Sequence, residues 1–390
     1  MLSVDQVWEI LTSRTSVLPA RRVPLADALG LRLAERLLAP ADEPAFDRSA
    51  MDGFAVADSA VPARFRIVGE CPPGQPVPPP VCGGEALRVF TGSALPPGVR
   101  VVMQEDAVLD GEFVVIERIG GPSHVRLRGS AARMGEVLLS SGVTLTPAAL
   151  AVLASAGEVS PLVTPRPRVF HLTTGSEIVD ASLQPGPGQI RNTNAPLVRA
   201  LLEESGAFWM GTRHAGEDPR EALEICRDAS HARADLLLIS GGASGGAHDH
   251  TGEVLQELGF EILCRKVNCR PGKPLLVGIK EGQMAVGLPG NPVSHFVTFH
   301  VFVRQILALL GGLPPAVWKS VPLCEGGVVR PDSRETFWPA SLRATGASAL
   351  PWLDSGHLGA LVGVNALIRV PSGKQPLAGE LVEVLCCGRS

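Results

Sequence analysis

Residues 235–240 read DLLLIS, and the chain continues GGASGGAHDH. An uninterrupted apolar run this short is the mark of a strand buried on both faces, as in a parallel sheet covered by helices. The glycines therefore begin at a strand's carboxyl end, where open α/β sheets bind ligands. Bare backbone there lets amide N–H groups approach phosphate oxygens, and the start of the following helix adds a favourable dipole. A flexible linker does not fit, because ordered elements of one domain stand on both sides.

The surroundings of this strand agree. Between Arg168 and Gly312, RVFHLTTG, a helix near APLVRALLEESGA, DPREALEICRDASHA and DLLLISGG alternate. Asp218, Pro219 and Glu221 open a helix with a cap, a first-turn proline and an acid three residues after the cap. Such alternation predicts a mainly parallel sheet with helices on both faces. Upstream, RFRIVGE, ALRVF, RVVMQ and EFVVIERI are short β-rich pieces, and CPPGQPVPPPVCGG reads as a long loop among them. Helical patterns flank that region. Val4, Val7, Trp8, Ile10 and Leu11 recur at helical spacing, ADALGLRLAERLLAP repeats the pattern up to Pro40, and TPAALAVLASAG resumes it. The β-rich region thus reads as an insertion. After Pro314 short strands return, ending in ALIRV and ELVEVLCC.

Composition narrows the function. Charged residues are 19%, the net charge is −4, aromatics are 4% and tyrosine is absent. A broad nucleic-acid surface needs clustered cations with aromatics for stacking, so that class is excluded. A small anionic ligand remains compatible, since a few local cations serve it. The start MLSVDQVWEI lacks a secretory pattern, and the eight cysteines form no zinc-like CxxC pairing. Free thiols in a reducing cytoplasm are expected. The apolar stretch VSHFVTFHVFVRQILALL is interrupted by His295, His300 and Arg304, which favours a buried or subunit-interface helix over a membrane span.

Several loops join the glycine run, whose Ser240, Gly241, Gly242, Ser244 and Gly246 are candidate substrate contacts. TTGSEI places Thr173, Thr174, Gly175 and Glu177 at another strand end. GLPGNPVS holds Pro289 and Pro292 in a rigid loop before a helix. KVNCRPGKPLLVG supplies Lys266, Arg270 and Lys273 for anion contacts. His248, Asp249 and His250 make a poor metal cluster, because adjacent residues rarely converge on one ion. Asp249 itself can be a helix N-cap or a catalytic acid, and the local sequence leaves both open.

Taken together, PAFDRSAMDGFAV, VFTGSALPPGVRVVMQED, LTTGSEI, GQIRNTN, LISGGASGGAHDHT, RPGKPLLVG and GLPGNPVS closely resemble the MoeA-type molybdenum insertases, a family that includes the gephyrin enzymatic domain. The resemblance runs nearly end to end and is weakest after Gly312. It implies a multidomain α/β plus β fold in four domains: an elongated, mainly helical domain (1–40 with 132–167), an inserted β-rich domain (41–131), a MogA-like α/β molybdopterin-binding domain (168–312) and a β-barrel-like C-terminal domain (313–390). It also implies an elongated cytoplasmic homodimer, Mg2+ assistance, and insertion of molybdate into adenylylated molybdopterin with release of AMP. The molybdopterin adenylyltransferase and Mo-enzyme maturation proteins are implied partners, with no nucleic acid and no membrane.

Position by position, the resemblance makes Asp52, Glu177 and Asp249 the site acids and the Mg2+ or molybdate ligands. Thr91, Arg270, Lys273, Pro289 and Pro292 match further site positions. Asp52 can otherwise be a turn residue before Gly53, and Thr91 part of an ordinary Thr-Gly turn. One departure concerns the chemistry: Gly129-Ser130-Ala131 stands where Gly-Glu-Asp is common, so one acid is missing. Phe54, Arg191, Ser176 and His250 are smaller departures. Two rival functions follow: a non-catalytic molybdopterin or molybdate carrier, or regulator, favoured by Ala131, and another nucleotide-processing enzyme on the same α/β domain, disfavoured by SAMDG and the C-terminal β region.

Overall fold

The structure is a computed structural model that describes residues 1–58, 60, 62–216, 218–241, 250–325 and 331–388. Two compact units interleave along the chain. One comprises Met1–Val23, Gly30–Ala34 and Leu162–Ser390, the other Pro24–Leu29 and Glu35–Pro161.

The larger unit is built on a six-stranded sheet in the order Phe208–Ala215, Arg168–Thr174, Leu236–Ser240, Gln283–Leu288, Leu276–Lys280, Glu261–Cys264. The first four strands are parallel, and Leu276–Lys280 runs antiparallel to both of its neighbours. All five residues of Leu236–Ser240 are buried. Their alternation explains why none is polar before Ser240. Leu236 and Leu238 enter one core with Val169, Val286 and the helices Asn194–Glu204 and Pro292–Thr298. Leu237 and Ile239 enter the opposite core with Leu172, Ala285 and the helices Pro219–His231 and Thr251–Glu257. Each such side chain contributes about 1.5–3 kcal/mol relative to exposure.

The helix Pro219–His231 starts as the sequence predicts. Asp218 accepts from the Arg220 amide at 2.9 Å, while Glu221 accepts from the Gly216 amide at 3.0 Å. The run Pro292–Leu310 is long and apolar enough to cross a membrane, yet it lies largely buried inside its own unit. Its middle turn, Phe299–Val303, is π-helical, and the Val301 carbonyl accepts from Trp8 Nε1 at 2.9 Å. Trp8 belongs to the N-terminal helix Val4–Arg14, opened by a Ser3–Gln6 capping box.

The chain after Pro314 forms a closed five-stranded barrel. Glu335–Arg343, Gly346–Ala349, Lys319–Glu325, Leu381–Cys386 and Ala366–Val370 pair in that order, and the last returns to pair with the first. Arg369 joins it to the N-terminus: the guanidinium bonds Glu335, meets Asp5 at 2.8 Å and Glu383 at 3.4 Å, and lies 5.0 Å from the Trp318 ring centre.

The smaller unit carries a mixed six-stranded sheet in the order Val99–Met103, Gly53–Ala57, Glu85–Val89, Ala63–Cys71, Phe113–Ile116, Val108–Asp110. The proline-rich stretch is the loop between two of its strands, as expected. One expectation is corrected here: ADALGLRLAERLLAP does not form a helix. Leu25–Asp27 is a single 3-10 turn, Gly30 has φ +77°, and two short strands follow. Arg32–Leu33 pairs with Leu162–Thr164, and Leu37–Leu38 with Val137–Leu139. Cross-strand partners about 100 residues or more away outweigh a weak local helical preference. In the region expected to be mainly helical, only Val4–Arg14 and Pro147–Ser155 are α-helices.

Candidate functional site

In the larger unit, parallel pairing sets Thr173 beside Ser240 and Ser240 beside Leu288. Three loops therefore leave the sheet at one edge. Gly241 begins the glycine run at φ +94°, its N–H donating to the Leu288 carbonyl at 3.2 Å and its carbonyl accepting from Thr251 Oγ1 at 3.1 Å. A Cβ on it would lie 2.7 Å from Thr174 Oγ1 and 2.8 Å from the Thr174 carbonyl oxygen, so only glycine fits. Gly175, at φ +131°, leaves room for the exposed Glu177 carboxylate, which would come within 2.6 Å of a Cβ there.

The side chains of this edge serve the fold as well as the opening. Thr174 Oγ1 donates to the Ser240 carbonyl at 3.2 Å. The Ser240 hydroxyl is buried and sits 2.6 Å from Nε2 of both His171 and His295. The Ser240 hydroxyl is thus engaged by the two histidines and its carbonyl by Thr174. Gly242, Ser244, Gly246 and Asp249 lie outside the described residues. The N-cap position of the helix Thr251–Glu257 is His250, whose side chain makes no cap bond.

Pro289 is buried and Pro292 opens its helix. Between them Gly290 accepts from Asn194 Nδ2 at 2.8 Å, and Asn291 Nδ2 donates to Ser355 Oγ at 2.7 Å. Asn194 Oδ1 is buried without a partner. Lys273 is exposed. Arg270 is not a bare cation: its Nη1 lies 3.0 Å from Asp332, which also holds Arg334 at 3.1 Å, and its guanidinium is 5.4 Å from the Trp352 ring centre. One positive charge still remains over this trio, so anion contact at Arg270 is shared with Arg334 rather than exclusive.

The smaller unit holds its own constellation. Asp52 Oδ1 accepts from the Thr91 amide at 2.7 Å and from Thr91 Oγ1 at 2.9 Å. These bonds, the amide's first, hold the exposed carboxyl below its usual range. Gly53 follows because a Cβ would stand 2.0 Å from the Val102 carbonyl oxygen of the neighbouring strand. Asp52, Phe54, Arg88, Phe90, Gln104 and Leu109 line a cavity of about 230 Å3, which brings a carboxylate and a guanidinium to one hollow. The turn at Ala131 carries no acid; its amide donates to the Glu43 carbonyl, and nearby Asp42 is engaged by Arg128 and the Met134 amide.

The expected metal trio is not assembled within either unit. Asp52 belongs to one, Glu177 to the other, and Asp249 lies outside the described residues. Among the described residues no group of three or more His, Cys, Asp or Glu side chains is arranged to hold a metal ion. The residues that sequence reasoning missed are His171, His295, Asn192 and Asn194. Asn192 Nδ2 donates to Thr173 Oγ1 at 3.1 Å, and Asn192 Oδ1 accepts from the Ala195 amide at 2.9 Å. Histidines inside the apolar runs RVFHL and VSHFV were the available signal.

Known proteins carry the same two parts. Residues 2–157 match the family described as MoeA N-terminal region (domain I and II), and residues 171–309 match the probable molybdopterin binding domain. These matches define the class, a protein of molybdenum cofactor biosynthesis with a MoeA-type architecture. A molybdopterin molybdenumtransferase of Synechococcus elongatus is 33% identical over 98% of this chain and 99% of its own length. One of Staphylococcus aureus is 29% identical, covering 98% and 95%. The solved structure of a molybdopterin biosynthesis MoeA protein from Pyrococcus horikosii superposes with a TM-score of 0.83 at 27% identity and full coverage of both chains. The chain belongs to the molybdopterin molybdenumtransferase family, a family of transferases.

Proposed function

We propose that this protein inserts molybdate into adenylylated molybdopterin and releases AMP. The observation that carries the reading is the sheet edge where Thr174–Gly175, Ser240–Gly241 and the Pro289–Pro292 turn emerge side by side in the domain matched to molybdopterin binding. Gly241 and Gly175, at φ +94° and +131°, open two of these loops in a conformation that favours glycine, and short glycine loops at a strand's carboxyl end suit a phosphate group. The Arg270–Asp332–Arg334 group and Lys273 suit its remaining negative charge. Asp52 supplies a carboxylate that is ionised at neutral pH. The described residues of neither unit form a carboxylate cluster for Mg2+, so no step is routed through that ion.

The test is turnover by the purified protein with adenylylated molybdopterin and molybdate, followed as AMP release. Multiple turnovers are expected. Binding of the substrate without AMP release would instead make the chain a carrier.

The eight cysteines are all free thiols, which suits a cytoplasmic location. Contacts with the molybdopterin adenylyltransferase and with Mo-enzyme maturation proteins belong to the same reading. So does a homodimer, for which an obligate contact would bury roughly 2,000 Å2 or more. The helix Pro292–Thr298 is committed to its own core, so other surfaces must supply that area. Light scattering at micromolar concentration is expected to give twice the mass of the 40.9 kDa chain, and a monomer there removes the dimer.

A further inference from the structure

Three strands and one helix of the larger unit share a row of polar groups, half-buried at Trp209 and Thr212 and buried at His171, Ser240 and His295, that no ligand contact requires. Trp209 Nε1 lies 3.3 Å from Thr212 Oγ1, and Thr212 Oγ1 lies 3.4 Å from His171 Nδ1. His171 Nε2 and His295 Nε2 each lie 2.6 Å from Ser240 Oγ. His171 and His295 are 0% exposed and Ser240 is 2% exposed. A single hydroxyl hydrogen cannot serve two imidazole nitrogens, so at least one histidine must donate to Ser240.

One direction of donation fits both ends of the row. The indole is a donor only, so Thr212 Oγ1 accepts from it and keeps its own hydrogen to offer His171 Nδ1. Neutral His171 then carries its proton on Nε2 and donates to Ser240, which donates to His295 Nε2. His295 is left protonated on Nδ1. That nitrogen is buried and makes no hydrogen bond of ordinary geometry, and the Pro289 and Asn291 carbonyls are the groups acting on its ring. A lone pair facing carbonyl oxygens would be repelled; an N–H would not. Burial keeps both rings neutral, holding His171 at about 3 and His295 at about 4.

We propose that His171, Ser240 and His295 are positioning residues, forming a one-way hydrogen-bond relay that fixes the start of the glycine run and the Pro289–Pro292 turn against each other. Ser240 sits one residue before Gly241, and His295 sits one helical turn after Asn291. The relay thereby presets two ligand-facing loops as one surface, lowering the ordering cost when an anion binds. Its hydrogen bonds lie beneath the opening, not in it, and none of the three side chains touches substrate.

Three readouts test this on the full-length protein. Long-range proton–nitrogen spectra of histidine-labelled protein are expected to show His171 protonated on Nε2 and His295 on Nδ1; the reverse pattern, or both on Nε2, overturns the direction. Hydrogen exchange needs no ligand. Ser240→Ala is expected to speed exchange in peptides covering both 236–241 and 283–292, with His171→Gln as a second variant should the first fail to fold. Faster exchange in one segment alone, or in neither, shows that the loops are not coupled. The kinetic arm rests on the transferase reading: Ser240→Ala is expected to raise KM about tenfold with kcat within about twofold, the loss of one ordering hydrogen bond. An unchanged KM makes the relay merely structural. Failure of AMP release by the unmodified protein defeats the transferase reading, while spectra and exchange still decide the relay.

Discussion

Through three buried histidines, unfolding of the larger unit at pH 5 is expected to take up about 2.5 more protons than at pH 7.5, with a stability loss of about 6 kcal/mol. His171, His295 and His300 are almost fully buried in it. Burial lowers them to about 3, about 4 and about 3, with smaller contributions from His295 on His171 and from Arg304 on His300. An unfolded histidine titrates near 6.5. Between about pH 6.5 and 4 the unfolded chain therefore binds protons that the native rings refuse, and stability falls as pH falls. It is complete above 6.5 and stops declining, for these groups, as pH nears their folded values. Each ring contributes about 2 kcal/mol at pH 5, so three remove much of a typical 5–15 kcal/mol. The lowered carboxyls, such as Asp52 and Glu261, lose their contribution only below the ordinary carboxylate range, outside this window. Denaturant titrations at several pH values between 7.5 and 5 measure the slope. Replacing His300 by Phe should reduce it by one proton, and a flat profile would show that the rings are not buried in the neutral form.

Asp52→Asn is expected to lower turnover on the order of 100-fold while leaving thermal stability nearly unchanged. Both Thr91 bonds fall on Asp52 Oδ1. The amide oxygen of asparagine can accept both in the same place, so the substitution removes charge and keeps the turn. A carboxylate that acts on a developing charge loses most of its effect; a turn residue loses almost none. AMP release and a thermal melt on the same preparation separate these outcomes. Wild-type turnover in the variant would assign Asp52 to the turn alone.

The sheet could be read from the sequence because Leu236–Ile239 is a short run without a polar residue, which suits a strand covered on both faces. The stretch from Ala26 to Pro40 was misread for an equally physical reason. Its apolar spacing fits a helix, but its partners, Leu162–Thr164 and Val137–Leu139, are supplied from far along the chain. Barrel strands were visible individually, whereas closure between Glu335–Arg343 and Ala366–Val370 depends on twist. At the site, glycines announced Gly175 and Gly241, because both take a positive φ and a Cβ on Gly241 would also meet the Thr174 backbone. The direction of the Ser240 hydroxyl did not follow from its own segment; it needs histidines 69 and 55 residues away. Likewise Arg270 read as a free cation until Asp332, 62 residues later, was placed beside it.

The link between Trp8 and Val301, 293 residues apart, sets a clock on the newborn chain. At about 5–20 residues per second, a ribosome needs roughly 15–60 s between making the first of these residues and the second. Throughout that interval Val4, Val7 and Leu11 have no native core to enter, because the later residues of that core have yet to be made. The smaller unit, complete by Pro161, can fold first while the amino-terminal leader Met1–Val23, which belongs to the larger unit, waits. The leader is short, and Asp5, Glu9 and Arg14 keep its other side charged. Nascent chains stalled after residue 161 should thus carry a protease-resistant middle and a cleavable front end.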